Sequence, residues 1–192
     1  MATRIAEYLT QKLVTSSVIE EGDRELYNYG FFLLLIRSFF FLITVFTGFL
    51  ASVPAESVLF YMVFISLRTY AGGGHAKTET TCTMLTTLAL TVSVLVIKVM
   101  MLTNSNIISM LMLIVGSFFV FVFSPLDSED EPLTNEEKRH YRLICYCLAS
   151  MYIVISNIAQ YFSITMVHYS VACGVFLEGT LLIIGKLCIS KA

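Results

Sequence analysis

The sequence predicts an all-α, polytopic integral membrane protein, and two observations carry that prediction. Hydrophobic residues fill 57% of the 192 positions and charged residues only 14%, with a mean hydropathy of +0.80. Six long apolar stretches also follow one another along the chain. A soluble domain carries about 25% charged residues, and one of this size can hide only part of its surface. Lipid must cover much of this one. The net charge of −2 leaves no electrostatic footprint for nucleic acid.

Residues 1–28 precede the first apolar stretch. Acidic residues follow the basic ones and no apolar core lies within the first two dozen positions, which is unlike a signal peptide. Ala2, Ile5, Ala6, Leu9 and Leu13 recur at helical spacing, with Arg4, Glu7, Gln11 and Lys12 between them. This pattern predicts an amphipathic helix at the cytoplasmic face, either lying on the membrane or packed on the rest of the protein.

Residues 29–192 form the transmembrane domain. A hydrocarbon core about 30 Å thick takes roughly 20 apolar residues per helix. Spans are predicted at 29–50, 55–70, 82–102, 107–124, 142–163 and 167–188. The second is short enough to be partly re-entrant. Basic residues cluster near Arg4 to Arg24, Arg68 to Lys77, Lys138 to Arg142 and Lys186 to Lys191, and the alternate loops carry none. By the positive-inside rule, six spans with both termini in the cytoplasm satisfy this alternation. Segment 68–82 then lies at the cytoplasmic face. The connection from Ser124 to Arg142 starts with Pro125 and runs acidic before turning basic, as a solvated loop would.

Segment 68–82 holds the residues most suited to chemistry. Gly72, Gly73 and Gly74 stand between two apolar helices and allow backbone angles closed to other residues. His75 follows them, and Cys82 lies seven positions further on. On a continuous helix seven residues rise by roughly 10 Å, too far for the about 3 Å contact through which imidazole takes a thiol proton. If the two cooperate, the chain between them turns. Thr78, Glu79, Thr80 and Thr81 suit a capped helix start there. Cys82 would then fall in a first helical turn, where backbone N–H groups and the helix dipole favour a thiolate. Glu79 could orient His75, or simply complement the dipole. Spacing alone leaves rivals, because His140 and Cys147 are also seven apart and His168 lies near Cys173.

The five cysteines are an odd number, and four fall within or beside apolar stretches, so a disulfide framework is a poor reading. His140 with Cys145 and Cys147 suggests no metal site, since the two cysteines point about 200° apart on a helix; neither metal nor cofactor is expected. Arg37 and Glu178 lie within spans, where a charge is costly unless paired. An Arg37–Glu178 interaction is therefore the expected pairing.

The string Arg68-x-x-x-Gly72-Gly73-Gly74-His75-Ala76, with Cys82 six positions later, precedes the third span, and Pro125, Asp127 and Pro132 follow the fourth. In this order the motifs resemble the accessory gene regulator protein B (AgrB-like) family, over nearly the whole chain. The resemblance implies a membrane cysteine endopeptidase of Gram-positive bacteria that removes the C-terminal tail of a quorum-sensing peptide precursor. Cys82 would be the nucleophile and His75 its base, with Arg68 and Gly73 in support and Lys138, Arg139 and Arg142 available to the acidic tail. It also implies a homodimer, for which small residues such as Gly174, Gly179 and Gly185 leave room. Two other readings stay open: a small transporter or channel subunit with a Gly-rich re-entrant loop, and a non-catalytic scaffold.

Overall fold

The computed structural model describes residues 2–72, 79–126 and 133–189. Every regular element among them is a helix. The chain divides into two compact units, residues 1–43 and 44–192.

The N-terminal unit holds α1 (Ala2–Thr15), a single 3-10 turn (Glu21–Asp23) and the first part of α2 (Arg24–Leu50). The predicted inward stripe of α1 is present in part: Ala6 and Thr10 are buried, Leu9 and Leu13 are half-buried, but Ile5 is exposed. Thr10 belongs to this stripe because its hydroxyl donates to the Ala6 carbonyl at 2.9 Å and so hides its polarity in the helix. The helix ends where Ser17 turns to a left-handed φ of 54°.

The C-terminal unit holds the end of α2, then α3 (Pro54–Ala71), α4 (Glu79–Thr103), α5 (Asn106–Phe123), α6 (Asn135–Tyr161) and α7 (Thr165–Ile189). Pro54 opens α3, a position at which the missing N–H costs nothing. Most ends lie within a few residues of the predicted ones. The exception is α6, which begins at Asn135 rather than near 142. Thr134 and Glu137 form a capping box there: the Thr134 N–H donates to the Glu137 carboxylate at 2.9 Å and the Glu137 N–H to the Thr134 hydroxyl at 3.3 Å. The polar run before Arg142 is thus partly helix.

Among the described residues five helices, α2, α4, α5, α6 and α7, are long and apolar enough to cross a membrane. The remaining predicted span, α3, falls outside that group; its 18 residues include Glu56 and Arg68. It is a continuous helix clad in protein along Ser57, Phe60, Tyr61, Val63, Phe64, Leu67 and Ala71. The surface of the unit is inside-out relative to a soluble protein. Leu88, Leu95 and Leu102 of α4 and Leu111 and Phe118 of α5 are exposed, whereas Ser57, Ser109, Ser156, His168 and Glu178 are buried. Lipid suits the former, and helix–helix hydrogen bonds the latter.

At the centre runs α7, touching α3, α4, α5 and α6. Some 67% of its apolar window is buried, against 22% for α4. Glycines make this closeness possible. A Cβ on Gly116 of α5 would meet the Phe176 backbone at 2.6 Å, and one on Gly174 would meet a Val63 methyl at 2.8 Å. Gly174 and Gly179, expected to serve a dimer contact, are thus used inside the chain.

Near the start of α7, His168 pins three helices together. The Ser109 hydroxyl lies 2.7 Å from His168 Nε2 and 2.9 Å from the Asn106 carbonyl. Nδ1 lies 2.8 Å from the Ser156 hydroxyl, and the Tyr169 hydroxyl donates to the Asn106 side chain at 2.7 Å. Both ring nitrogens are occupied, which makes His168 a packing element rather than a base for Cys173. The Cys173 thiol itself is buried, 3.9 Å from the Ser93 carbonyl.

Candidate functional site

The end of α3 is held from three directions. Arg68 lies in its last turn, and its Nη1 donates to the Gly72 carbonyl at 3.0 Å. This bond satisfies one of the carbonyls a helix leaves open at its C-terminus. Gly72 takes a left-handed φ of 72°, and the Leu126 carbonyl would stand 2.5 Å from a Cβ placed on it. The Leu126 N–H donates to the Ala71 carbonyl at 2.9 Å. The chain after α5 is therefore laid across the turn that leads out of α3.

The third direction is α7. Its Glu178 is fully buried, and its carboxylate lies 3.6 Å from Arg68 Nη1. That distance is an ion pair just beyond hydrogen-bond reach, and neither carboxylate oxygen accepts a hydrogen bond from the described residues. A buried charge needs such a partner. Sequence reasoning expects Arg37 as that partner; the cation found 3.6 Å from Glu178, within the same unit, is Arg68. Apolar stretches tell only the depth of a charge, whereas pairing depends on which helix faces which. The signal that could have found it was Arg68 itself, a cation within one turn of the end of a short apolar helix.

Of the predicted catalytic residues, Cys82 falls in the first turn of α4, which begins at Glu79. The side chains of Cys82 and Glu79, and all of Gly73 and His75, lie outside the described residues. Of the remaining described thiols, Cys145 and Cys173 are buried away from any substrate, and Cys147 is exposed on the side of α6.

Lys138, Arg139 and Arg142 all lie in the first two turns of α6. Arg139 and Arg142 line an open cavity of about 590 Å³ together with Glu136, His140, Leu143 and Tyr146. Lys138 is not among its lining residues. The neighbouring turns join this helix to the rest of the site's end of the bundle. The Tyr70 and Tyr141 rings lie tilted by 57° with centroids 6.2 Å apart, and the Tyr146 hydroxyl donates to the Phe121 carbonyl at 2.9 Å. Among the described residues no cluster of His, Cys, Asp or Glu could hold a metal ion.

The fold and this polar junction define a class: an all-α, multi-pass membrane protein in which the end of α3, the chain after α5 and a buried carboxylate of α7 meet at Gly72. Comparison with known proteins narrows it. The family described as Accessory gene regulator B matches residues 2–183, and the chain belongs to that family. A Clostridium perfringens (strain SM101 / Type A) protein described as "Putative AgrB-like protein" is 26% identical over 145 residues, covering 72% of this chain and 67% of the relative. A "Putative AgrB-like protein 2" of Clostridium perfringens (strain 13 / Type A) is 23% identical over 144 residues, covering 72% and 67%. No solved structure matches. Membership links the chain to the processing of quorum-sensing peptides at a membrane.

Proposed function

We propose that the protein is a membrane cysteine endopeptidase that removes the C-terminal tail of a quorum-sensing peptide precursor at the cytoplasmic face of a Gram-positive cell membrane. The observation that carries the reading is the position of Cys82 in the first turn of α4, close in sequence to a held glycine turn. N–H groups at a helix start stabilise a thiolate and the oxyanion that its attack creates.

In this mechanism the Cys82 thiolate attacks the precursor's scissile carbonyl. The C–S bond forms, the C–N bond breaks, and protonated His75 gives its proton to the departing amine of the tail. A Cys or Ser side chain of the precursor then attacks the thioester, giving its proton to the now neutral His75; the new C–S or C–O bond closes a thiolactone or lactone, and the C–S bond to Cys82 breaks to restore the thiolate. Arg68 and Gly73 support the turn that carries His75. Glu79, in the same first turn as Cys82, is a candidate to orient His75. Arg139 and Arg142, with Lys138 beside them, would meet an acidic tail at the α6 cavity. A homodimer goes with this reading on family grounds alone, since Gly174 and Gly179 are engaged within the chain.

The test is mass spectrometry of the full-length protein in lipid vesicles, incubated with the precursor encoded beside its gene. The expected result is an acyl adduct on Cys82 that His75→Ala abolishes. Cleavage that persists in Cys82→Ala would sink the assignment.

A further inference from the structure

Glu178 has no place in the proposed chemistry, yet it is a fully buried carboxylate in the middle of the central helix. Its situation differs from that of His168, another buried polar side chain of α7, whose nitrogens are both taken up by serines. Glu178 accepts no hydrogen bond from the described residues, and its contact is the charge of Arg68 at 3.6 Å. The same Arg68 nitrogen donates to the Gly72 carbonyl at 3.0 Å.

We propose that Glu178 is a positioning residue: its carboxylate holds the Arg68 guanidinium over the Gly72 carbonyl, and so sets the direction in which the chain leaves α3 toward His75. The proposal rests on the peptidase reading above. The physical reason is that arginine has a long, flexible stem, and its side chain here is 24% exposed. Near a membrane edge such a side chain turns outward to water unless something retains it. An anion on α7, the most enclosed helix, retains it. Gly72 needs the restraint because a glycine turn has several backbone states within reach. Leu126 holds the Ala71 carbonyl from one side, and the Glu178–Arg68 pair holds the Gly72 carbonyl from the other. A catalytic imidazole three residues beyond Gly72 in the sequence inherits whatever precision that clamp provides.

The test is alkylation of Cys82 by iodoacetamide in the full-length protein in vesicles, resolved residue by residue by mass spectrometry across pH. Wild type is compared with His75→Ala, Glu178→Gln, Arg68→Gln and the double variant. If His75 activates Cys82, then His75→Ala slows Cys82 alkylation near neutral pH. Glu178→Gln is expected to slow it about tenfold, as a one-unit rise in the thiol's ionisation midpoint would, and to shift the pH profile toward that of His75→Ala. Because Glu178 acts through Arg68, the double variant is expected to be no slower than Arg68→Gln alone. Buried Cys145 and Cys173 report on folding, since they are alkylated only if the bundle opens.

A wild-type profile in Glu178→Gln, with His75→Ala slowed, overturns the proposal and leaves the dyad standing. Equal profiles in wild type and His75→Ala take down the peptidase reading and this proposal together. Should Glu178→Gln expose Cys145 and Cys173, the comparison passes to Arg68→Lys, which keeps a charge for Glu178 but loses the planar fork. A wild-type Cys82 profile in that variant also overturns the proposal.

Discussion

A Cβ placed on Gly179 would stand 2.6 Å from the carbonyl oxygen of Gly116. Helices α5 and α7 therefore cross backbone to backbone, closer than any side chain would permit. In a bilayer this matters more than in water, because lipid offers no hydrophobic drive for helices to associate and packing must supply it. Gly179→Leu is expected to cost about 3 kcal/mol by forcing the crossing apart. The measurement is the thermal unfolding midpoint in detergent, and an unchanged midpoint would show that the crossing relaxes freely.

Ser52 and Ser163 sit just past the ends of α2 and α6 with φ of 59° each. The bonds around them are those of a Schellman ending: Val53 N–H to the Gly48 carbonyl at 2.8 Å, and Ile164 N–H to the Ala159 carbonyl at 2.8 Å. Glycine is the residue this conformation prefers, and a left-handed residue with a Cβ costs roughly 1 kcal/mol. Ser163→Gly should raise stability by about that amount, read from a denaturation midpoint. A drop would mean that the serine makes a compensating contact.

His168→Phe leaves the Ser109 and Ser156 hydroxyls facing an apolar ring. The cost of stranding buried hydroxyls is about 2 kcal/mol. Since His168 has no part in the proposed reaction, the acylation rate of the folded fraction should match wild type. A rate falling with unchanged stability would return His168 to the list of candidate bases.

Gly72→Ala meets two obstacles, the left-handed φ of 72° and the Leu126 carbonyl at 2.5 Å. Strain of this kind costs about 1–3 kcal/mol. The larger effect is expected on the reaction, because a displacement of about 1 Å at a catalytic group can cost on the order of a hundredfold. Single-turnover cleavage of the precursor is the measurement. A stable protein with wild-type turnover would show that the turn does not govern the site.

Arg139→Glu together with Arg142→Glu reverses the charge that lines the α6 cavity. If the cavity receives an acidic tail, the half-saturating precursor concentration rises at least about tenfold, turnover at saturation holds, and the effect shrinks with added salt. Equal kinetics in the variant would place the tail elsewhere.

Much of the fold could be read along the chain, for particular reasons. The ends of α4, α5 and α7 lie where hydropathy falls and where Asn104 or Ser163 breaks the helix. The early start of α6 could also have been read, because Thr134 and Glu137 have the spacing of a capping box. Overlooking it assigned helix to loop. The short α3 was harder, since an apolar stretch that protein covers and one that lipid covers have similar composition.

The candidate site divides along the same line. Arg68, the glycines, His75 and Cys82 fall within one short stretch of sequence, so they could be read as a motif without knowing how the helices pack. Glu178 lies far from them in sequence, and its depth in an apolar stretch said only that it needs a cation. Which cation it meets depends on the rotation of α7 and on the helix that its glycines let approach.

By itself, then, the sequence determined that helices form and where they run, because a backbone in lipid must satisfy its polar groups within each segment. It also singled out His75 and Cys82 as candidates for chemistry. Only the tertiary structure decided which of those helices is central, that α3 buries one face against protein, and that Arg68 joins Glu178 to Gly72. The reason is physical: helix formation is local, whereas a buried charge is paired across helices by side-chain geometry that no linear pattern records.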